Sequence, residues 1–471
     1  MPVSSDYRPD PRFAALGTDF ADVVAPADFP QTILRHRNDR AAATAGLETL
    51  TDAEWLAHFG RFEALPDNQP APLAMRYHGH QFRTYNPELG DGRGFLFAQL
   101  REAGSDRLLD LATKGSGQTP WSRSGDGRLT LKGGVREILA ATMLEAQGVP
   151  TSRAFSLVET GEQLVRGDEP SPTRSAVLTR LSHSHIRFGT FQRHAFFDRA
   201  DLIGQLVEHV VEVYFPHLSG EPDLPAAMLA ETVKRTANLT ARWMAAGFVH
   251  GVLNTDNMVV TGESFDYGPW RFLPRNDPAF TAAYFDQTGL YSFGRQPEAA
   301  FWNLQQLAAC LTLVTGSDGL VAALNSFDPS YRTALQAAVR DRLGVASAGE
   351  AADVELISTL FRAMAEAGDA VRWEPVFFDW FGGQVSEARA MNGVRGEAYR
   401  SQGFAAFRDL LARHDSVRPE RLTAAYFQNA EPEELLIEEV EALWAPIADG
   451  DDWAPLQAKL SRIEAMRAAL A

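Results

Sequence analysis

The chain has 471 residues, of which 45% are hydrophobic and 22% are charged, the composition of an ordinary globular protein with material for roughly two to four domains. The formal net charge of −17 argues against broad nucleic-acid binding, which needs a basic face. The single cysteine, Cys310, excludes an intrachain disulfide and is typical of a reducing cytoplasm.

Residues 1–12 are polar and include Asp6 and Asp10. They have neither the apolar core of a secretory signal nor the Arg-rich character of a transit peptide. Elsewhere, no apolar run approaches the ~18 residues that a membrane-spanning helix requires. We therefore expect a cytoplasmic protein that makes no contact with membranes.

A glycine loop precedes the first predicted strand. Gly90, Gly92 and Gly94 fall within five positions, and a β-prone run follows over residues 95–100. Glycine leaves the backbone bare, so that its N–H groups can approach a ligand closely. The segment is therefore a candidate phosphate-binding loop, and an ordinary glycine turn between strands is the alternative.

Lys114 ends the second predicted strand, which covers residues 107–113. A helix is predicted over residues 135–147, with Glu137 in its first turn. In protein kinases a strand lysine binds phosphates and is fixed by a helix glutamate, so this order suggests a Lys114–Glu137 pair. The alternatives are a surface lysine and a glutamate that only stabilises the helix N-terminus.

Two further glycine-rich turns with interspersed arginines are predicted at residues 121–128 and 132–134. Arg180 and Arg187 follow later in the chain. Arginines near a glycine loop can clamp phosphate oxygens through paired N–H donors. A solvated loop and arginines in surface ion pairs are the alternatives.

The chain divides into a strand-rich part and a helical part, which predicts the α+β class. Strands at residues 153–158 and 176–181 complete the first part. From Arg199 onward, amphipathic runs predict helices. These runs cover residues 202–215, 226–246, 298–314, 350–367 and 404–414, and the acidic stretch 431–441 is predicted to be a solvated helix face.

Residues 250–268 contain the densest group of candidate site residues. Asp256 and Asn257 are followed by a short β-prone run, a turn and then Asp266, which predicts two loops joined by a tight hairpin. Such a hairpin can direct Asn257 and Asp266 at one point, and their oxygens suit Mg²⁺. Ordinary loop residues are the alternative.

The same stretch resembles the H-R-D-x-x-x-x-N and D-F-G pattern of protein kinases. His250 falls on the histidine of the pattern, Asn257 on its asparagine and Asp266 on the aspartate of D-F-G. Val252 takes the place of the catalytic aspartate and cannot accept a proton, whereas Asp256 offers a carboxylate beside Asn257. The metal half of a kinase site is thus predicted without the usual base.

Several motifs in register carry a more specific resemblance. They are G-D-G-R-G, T-K-G-S-G-Q-T-P-W-S-R-S-G-D-G-R, R-E-I-L-A, I-R-F-G-T-F, H-G-V-L-N-T-D-N-M and D-Y-G-P-W. Over residues 70–310 the chain is similar to the selenoprotein O family of pseudokinase-like protein adenylyltransferases. This implies a protein-kinase-like two-lobed fold, with an N-terminal extension and strand-rich lobe at 1–188. A helical lobe follows at 189–471, and its part after about residue 390 matches the family only loosely.

The resemblance also implies a chemistry. ATP would bind between the lobes with Mg²⁺, or Mn²⁺ in its place, in an orientation inverted relative to kinases. AMP would pass to a Ser, Thr or Tyr hydroxyl of a protein as pyrophosphate leaves, and the chain itself is a further candidate acceptor. Asp256 would accept the proton, Asn257 and Asp266 would hold the metal, and Glu137 would fix Lys114. The residues implied to hold the nucleotide are Gly90, Gly92, Arg93, Lys114, Asp126, Gly127, Arg180 and Arg187.

The chain departs from the family at its end, where many members carry a cysteine or selenocysteine. Residues 466–471 contain neither, so regulation by an internal disulfide is not expected. Two rival functions stay open: a γ-phosphoryl protein kinase that uses Asp256 as base, and an inactive nucleotide-binding pseudokinase scaffold. An inactive scaffold has no need of a complete metal and phosphate set, so the joint presence of Lys114, Glu137, Asn257 and Asp266 argues against it.

Overall fold

The computed structural model describes residues 3–167 and 169–471. Most strands lie in the first 182 residues, and the rest of the described chain is mainly helical. The predicted order of a strand-rich part followed by a helical part is therefore confirmed. The strands are β1 (Ala21–Val23), β2 (Ile33–Arg37), β3 (Leu73–Met75), β4 (Gly79–Gln81), β5 (Thr84–Asn86), β6 (Leu96–Arg101), β7 (Leu108–Lys114), β8 (Leu129–Thr130), β9 (Arg153–Leu164), β10 (Thr173–Ser182), β11 (Phe248–Val249) and β12 (Arg271–Phe272).

Outside the acidic stretch 431–441, each predicted helical run corresponds to a helix whose ends differ from the run by a few residues, whereas several further helices were not predicted. Among the described residues, no helix combines the length and the apolar composition that crossing a bilayer requires. The helices are α1 (Asp39–Thr44), α2 (Asp52–Phe59), α3 (Leu131–Ala146), α4 (Phe188–Phe196), α5 (Ala200–Tyr214), α6 (Leu224–Ala246), α7 (Gln296–Leu311), α8 (Ser317–Asn325), α9 (Phe327–Leu343), α10 (Glu350–Ala367), α11 (Trp373–Asp379), α12 (Glu387–Asn392), α13 (Gln402–Leu411), α14 (Ile437–Gly450) and α15 (Ala454–Leu470).

One antiparallel sheet organises the strand-rich part. Its strand order is β1-β3-β6-β7-β10-β9-β2, and β8 pairs with β10. In the β7–β10 register, Lys114 lies opposite Leu178 and Ala112 lies opposite Arg180. Side chains two positions apart on a strand point to the same face. The sheet therefore projects Lys114 and Arg180 from one face.

Different helices cover the two faces of this sheet. On one face, Trp55 of α2 stacks on Phe155 of β9, with ring centroids 4.8 Å apart. On the other face, Ile138 of α3 packs in the same apolar core as Leu157 of β9. Aromatic and aliphatic burial on both faces makes the sheet a rigid platform for the residues at its strand ends.

Helix α3 begins at Leu131, earlier than the predicted start, and residues 132–134 are its first turn, so the prediction of a glycine turn there was wrong. The Thr130 side chain caps the helix by accepting a hydrogen bond from the Gly133 N–H. A side chain at Gly134 would meet Leu157 at 2.4 Å. This glycine therefore permits a close approach of the helix to the sheet.

The predicted hairpin after Asn257 was also wrong. Val259 pairs with Arg187, and Ser264 pairs with Thr151, so each arm of the stretch joins a distant segment rather than its neighbour. Only the turn between them was predicted correctly, with the Gly262 N–H donating to the Val259 carbonyl at 3.1 Å. The stretch is held on two sides by the rest of the chain.

The acidic stretch 431–441 is not one solvated helix face, which corrects a further prediction. Only its last part belongs to α14, which begins at Ile437. The Glu433 carboxylate lies 2.7 Å from the Lys459 ammonium group, and that lysine is buried. These acids therefore hold α15 in place, and α15 in turn packs against α3.

Candidate active site

A cavity of about 770 Å³ lies where the strand-rich and helical parts meet. It is the point at which the predicted site residues converge, although they come from segments far apart in the chain. Eleven of the twelve line its wall: Gly90, Gly92, Arg93, Lys114, Asp126, Gly127, Arg180, Arg187, Asp256, Asn257 and Asp266. The twelfth, Glu137, lies behind Lys114 and contacts it directly.

Lys114 forms a buried ion-paired group at the back of the cavity. Its ammonium nitrogen lies 2.5 Å from Glu137 Oε1 and also contacts Asp266 Oδ1. A guanidinium nitrogen of Arg180 lies 3.4 Å from the same Asp266 oxygen. Burial disfavours the charged form of Asp266. The positive charges of Lys114, Arg180, Arg187 and Arg93 together favour that form more strongly. The pKa of this carboxyl is consequently held well below its usual value, and Asp266 is ionised.

Asp256 lies in a short 3₁₀ turn, Thr255–Asn257, that also lines the cavity. Burial raises the pKa of its carboxyl to about 6, against the opposing charge of Arg187. Its Oδ1 atom is buried and has no hydrogen-bond partner among the described residues. A buried carboxylate oxygen without a partner is costly, and it suits a group that receives a hydrogen bond from a ligand.

Asn257 and Asp266 offer oxygen atoms of the kind that Mg²⁺ or Mn²⁺ prefers. Asn257 Nδ2 donates to the Val252 carbonyl at 2.9 Å, which orients the amide and keeps its oxygen available for the cavity. In the described part of the chain, no cluster of three or more His, Cys, Asp and Glu side chains could hold a metal ion. A cation here would therefore draw its other ligands from phosphate oxygens and water.

The glycine loop is covered by the segment 121–128. A side chain at Gly90 would meet the Trp121 ring at 2.4 Å, and one at Gly92 would meet the Trp121 carbonyl at 2.8 Å. Ser122 Oγ donates to the Gly92 carbonyl at 2.5 Å. Close packing against this segment is therefore one reason for glycine at these positions. The access of a ligand to bare backbone N–H groups, predicted from the sequence, is a second reason.

Gly127 and Asp126 lie at the outer end of the same segment. Gly127 has a φ of +72°, and a side chain there would meet the Gly117 backbone at 2.2 Å, so only glycine fits. The Asp126 carboxylate lies 2.8 Å from Arg166 and accepts from the Arg128 N–H at 2.9 Å. Asp126 is thus engaged with protein groups at the rim.

Two buried arginines, Arg180 and Arg187, contribute positive charge to the cavity. Arg187 stacks between the rings of Tyr77 and Phe265, at 4.5 and 4.8 Å from their centroids. Its Nη1 atom donates to the Asp256 carbonyl at 2.6 Å. The Nε atoms of Arg180 and Arg187 are buried without a partner among the described residues. Buried donors that lack acceptors fit an anionic ligand in the cavity.

Some lining residues were not predicted, namely Tyr77, Gln81, Asp91, Trp121, Arg123, Arg128, Arg166 and Asn254. Arg123 and Arg128 lie in the predicted glycine-rich turn at residues 121–128, so the sequence already indicated arginines near the phosphate-binding loop. Gln81 lies in a stretch before the glycine loop, and nothing in its local sequence indicates a position in the cavity lining. Only the tertiary fold brings it there.

Residues 3–464 match the family model described as protein adenylyltransferase SelO. The chain is 46% identical over 466 residues to the protein nucleotidyltransferase YdiU of Gloeobacter violaceus, with 97% of this chain and 95% of the relative covered. It is 44% identical over 476 residues to the protein of the same name from Synechococcus elongatus, covering 96% and 94%, and 37% identical over 465 residues to that of Azotobacter vinelandii, covering 97% and 93%. The match includes the part after residue 390. The chain therefore belongs to the protein adenylyltransferase SelO family.

Proposed function

We propose that this chain transfers AMP from ATP to Ser, Thr or Tyr hydroxyls of proteins. The observation that carries the proposal is the convergence of three features in one cavity. These are the ionised Asp266 carboxylate with the Asn257 amide in the same cavity lining, two buried arginines whose Nε–H groups have no partner among the described residues, and a buried Asp256 carboxylate oxygen that likewise has none. Membership of a protein adenylyltransferase family supports AMP transfer as the chemistry of the chain.

In the proposed reaction, the acceptor hydroxyl oxygen forms a bond to the α-phosphorus of ATP. The bond from that phosphorus to the bridging oxygen breaks, and pyrophosphate leaves with the electron pair. Asp256 Oδ1 receives the hydroxyl proton, and general-base help of this kind is typically worth ~10²–10⁴-fold. Arg180 and Arg187 bind phosphate oxygens through their free N–H groups and offset the charge that develops on the leaving group.

Asn257 and Asp266 would hold Mg²⁺ or Mn²⁺. When bound, the cation neutralises phosphate charge and orients the triphosphate. Lys114 already contacts the Asp266 carboxylate, so this lysine and the cation would share that carboxylate. Glu137 keeps Lys114 in place by accepting its second hydrogen bond.

We further propose a two-lobed kinase-like arrangement, with residues 1–188 as the first lobe and 189–471 as the second. The end of β10 at Ser182 and the start of α4 at Phe188 support this boundary. The nucleotide would bind inverted relative to kinases, so that its α-phosphate faces Asp256. The acceptors would be exposed hydroxyl side chains of other proteins and of the chain itself.

Incubation with ATP labelled on either the α- or the γ-phosphate tests the reaction type. We expect label to enter acceptor protein from the α position and not from the γ position, and EDTA to stop it. Entry of γ-label instead would identify a kinase, and entry of neither would identify a nucleotide-binding scaffold. Both of those results would contradict the proposal.

A further inference from the structure

Asp91 fastens the glycine loop to the end of strand β3. Its N–H donates to the Met75 carbonyl at 3.0 Å, and its Oδ2 atom accepts from the Met75 N–H at 3.0 Å. From the segment that covers the loop, Thr119 Oγ1 donates to the Asp91 carbonyl at 2.6 Å. These three hydrogen bonds hold the backbone of Asp91 and one oxygen of its carboxylate, so the position of the other oxygen is also defined.

That second oxygen faces Arg187. The Nη2 atom of Arg187 donates to Asp91 Oδ1 across 3.4 Å, and the exposed fractions of the two side chains are only 6% for Arg187 and 11% for Asp91. Salt screens buried and nearly buried ion pairs much less than exposed ones. Asp91 and Arg187 therefore form an ion pair within the wall of the cavity, which both residues line.

The remaining contacts of Arg187 restrict its guanidinium group only in part. The rings of Tyr77 and Phe265 lie on it at 4.5 and 4.8 Å, and stacking of this kind allows the group to turn within its own plane. Nη1 donates to the Asp256 carbonyl at 2.6 Å, which is a single pivot. The bond from Nη2 to Asp91 is the second attachment, and together the two give the partnerless Nε–H a fixed direction.

We propose that Asp91 is a positioning residue for ATP binding, which holds Arg187 in the orientation in which its free N–H group meets a phosphate oxygen. This inference rests on the phosphate-binding role proposed above for Arg187. Asp91 acts through that arginine, because a carboxylate repels phosphate and gains nothing from touching it. Without Asp91, ATP itself has to orient the guanidinium group, and ordering a side chain on binding lowers affinity.

The test measures the dissociation constant for an ATP analogue with a methylene group between its α- and β-phosphorus atoms, with Mg²⁺, by calorimetry. Asp91→Asn keeps the shape of the side chain but offers one oxygen instead of two, and Asp91→Ala is the second variant. Both are also made in an Arg187→Ala background. The matched control is Asp379→Asn, because Asp379 pairs with Arg395 at 2.7 Å in a similarly buried contact outside the cavity. Melting temperatures show that each variant is folded.

We expect Asp91→Asn and Asp91→Ala to weaken binding of the analogue roughly 10-fold, as the loss of a hydrogen bond between charged groups does. The direction is decisive, since removing a negative charge beside an anionic ligand would by itself strengthen binding. In the Arg187→Ala background the same changes should cause no further loss, because the residue through which Asp91 acts is absent. Asp379→Asn should stay within about twofold of wild type.

Unchanged or tighter binding by the Asp91 variants would overturn the inference. An equal loss in Asp379→Asn, or the same loss with and without Arg187, would also overturn it, because the effect would then be a general one of stability or a direct one of Asp91. Failure of the proposed function has different signs. Arg187→Ala would then bind the analogue as tightly as wild type, or wild type would transfer no α-label to protein.

Discussion

Asp256 is a buried carboxylate and Asp266 is a partly buried one. Both line one cavity, but their surroundings shift their pKa values in opposite directions. Asp266 contacts Lys114 and Arg180, which keep it ionised, whereas burial raises the pKa of Asp256 to about 6. Two carboxyls with pKa values pushed apart are suited to different tasks. In this case the ionised one suits a cation, and the other suits a proton that is gained and released near neutral pH.

The raised pKa of Asp256 predicts how the rate of AMP transfer depends on pH. The base must be deprotonated to work, and a pKa of about 6 means that the inactive protonated form accumulates below that value. We expect kcat/KM for ATP to fall about tenfold for each pH unit below about 6. Initial rates of α-label transfer across this range measure the effect. A rate that stays constant down to about pH 5 would contradict the assignment of Asp256 as base.

The buried contact between Lys114 and Glu137 predicts a loss of stability on removal of the glutamate. Glu137→Ala leaves the buried ammonium group with Asp266 as its remaining carboxylate, and breaking such a pair costs about 3 kcal/mol of the free energy of unfolding. We also expect AMP transfer to fall, because Lys114 is no longer fixed. Urea unfolding and α-label transfer measure the two effects.

Glu145 on the same helix is the control for that change. Its partner Arg40 is partly exposed, so Glu145→Ala should cost less than about 1 kcal/mol and leave AMP transfer intact. Equal losses of stability in Glu137→Ala and Glu145→Ala would show that the buried Lys114–Glu137 contact stabilises the fold no more than the partly exposed Arg40–Glu145 pair does.

At the scale of elements, α3 depends on how closely its first turn approaches the sheet. A Cβ atom at Gly134 would lie 2.4 Å from a methyl group of Leu157. Gly134→Ala should therefore cost about 1 kcal/mol of the free energy of unfolding, because overpacking outweighs the better helix propensity of alanine. The displaced helix should also lower AMP transfer through Glu137.

Gly204 in α5 provides the matched comparison. No atom lies within 4 Å of a Cβ built there, so Gly204→Ala should raise the free energy of unfolding by up to about 1 kcal/mol without changing AMP transfer. If urea unfolding showed Gly204→Ala to be destabilised or Gly134→Ala to be stabilised, the claim of close packing at Gly134 and open space at Gly204 would be contradicted.

Elements defined by local pattern were predictable, and those defined by distant partners were not. Thr51 caps α2 with a reciprocal hydrogen bond to Glu54, and this signal lies within four residues of sequence. By contrast, the β-prone run after Asn257 has its partner at Arg187, about seventy positions earlier in the chain. Local preference cannot distinguish such a pairing from a hairpin, so the hairpin was predicted wrongly.

The candidate site shows the same division. Its glycines, Lys114 and the residues near Asp266 follow motifs that the sequence displays, and the fold brings them to one cavity. Gln81 and Trp121 reach that cavity only through long-range packing. A motif identifies residues with a recognisable chemical type and spacing, whereas neighbours that orient them depend on the tertiary structure.

For the whole molecule, a ligand that binds between its two parts should stabilise the fold. ATP with Mg²⁺ at 100 times its dissociation constant adds about 2.7 kcal/mol to the free energy of unfolding. We expect ATP with Mg²⁺ to raise the melting temperature of the wild type but not that of Asp266→Ala, and EDTA to abolish the increase. If ATP with Mg²⁺ raised the melting temperature of Asp266→Ala as much as that of the wild type, this carboxylate would be excluded as a metal ligand.

The contact between α15 and α3 has a consequence for the order of synthesis. All the residues that line the cavity precede residue 270, so a ribosome makes them long before it makes α15. Lys132 of α3 binds Glu441 of α14 at 2.7 Å, and Arg40 joins Glu145 of α3 to Glu464 of α15. A nascent or proteolysed chain that lacks these last helices holds every reactive group but leaves α3 unsupported. Transfer of AMP should thus begin only after translation has passed α15.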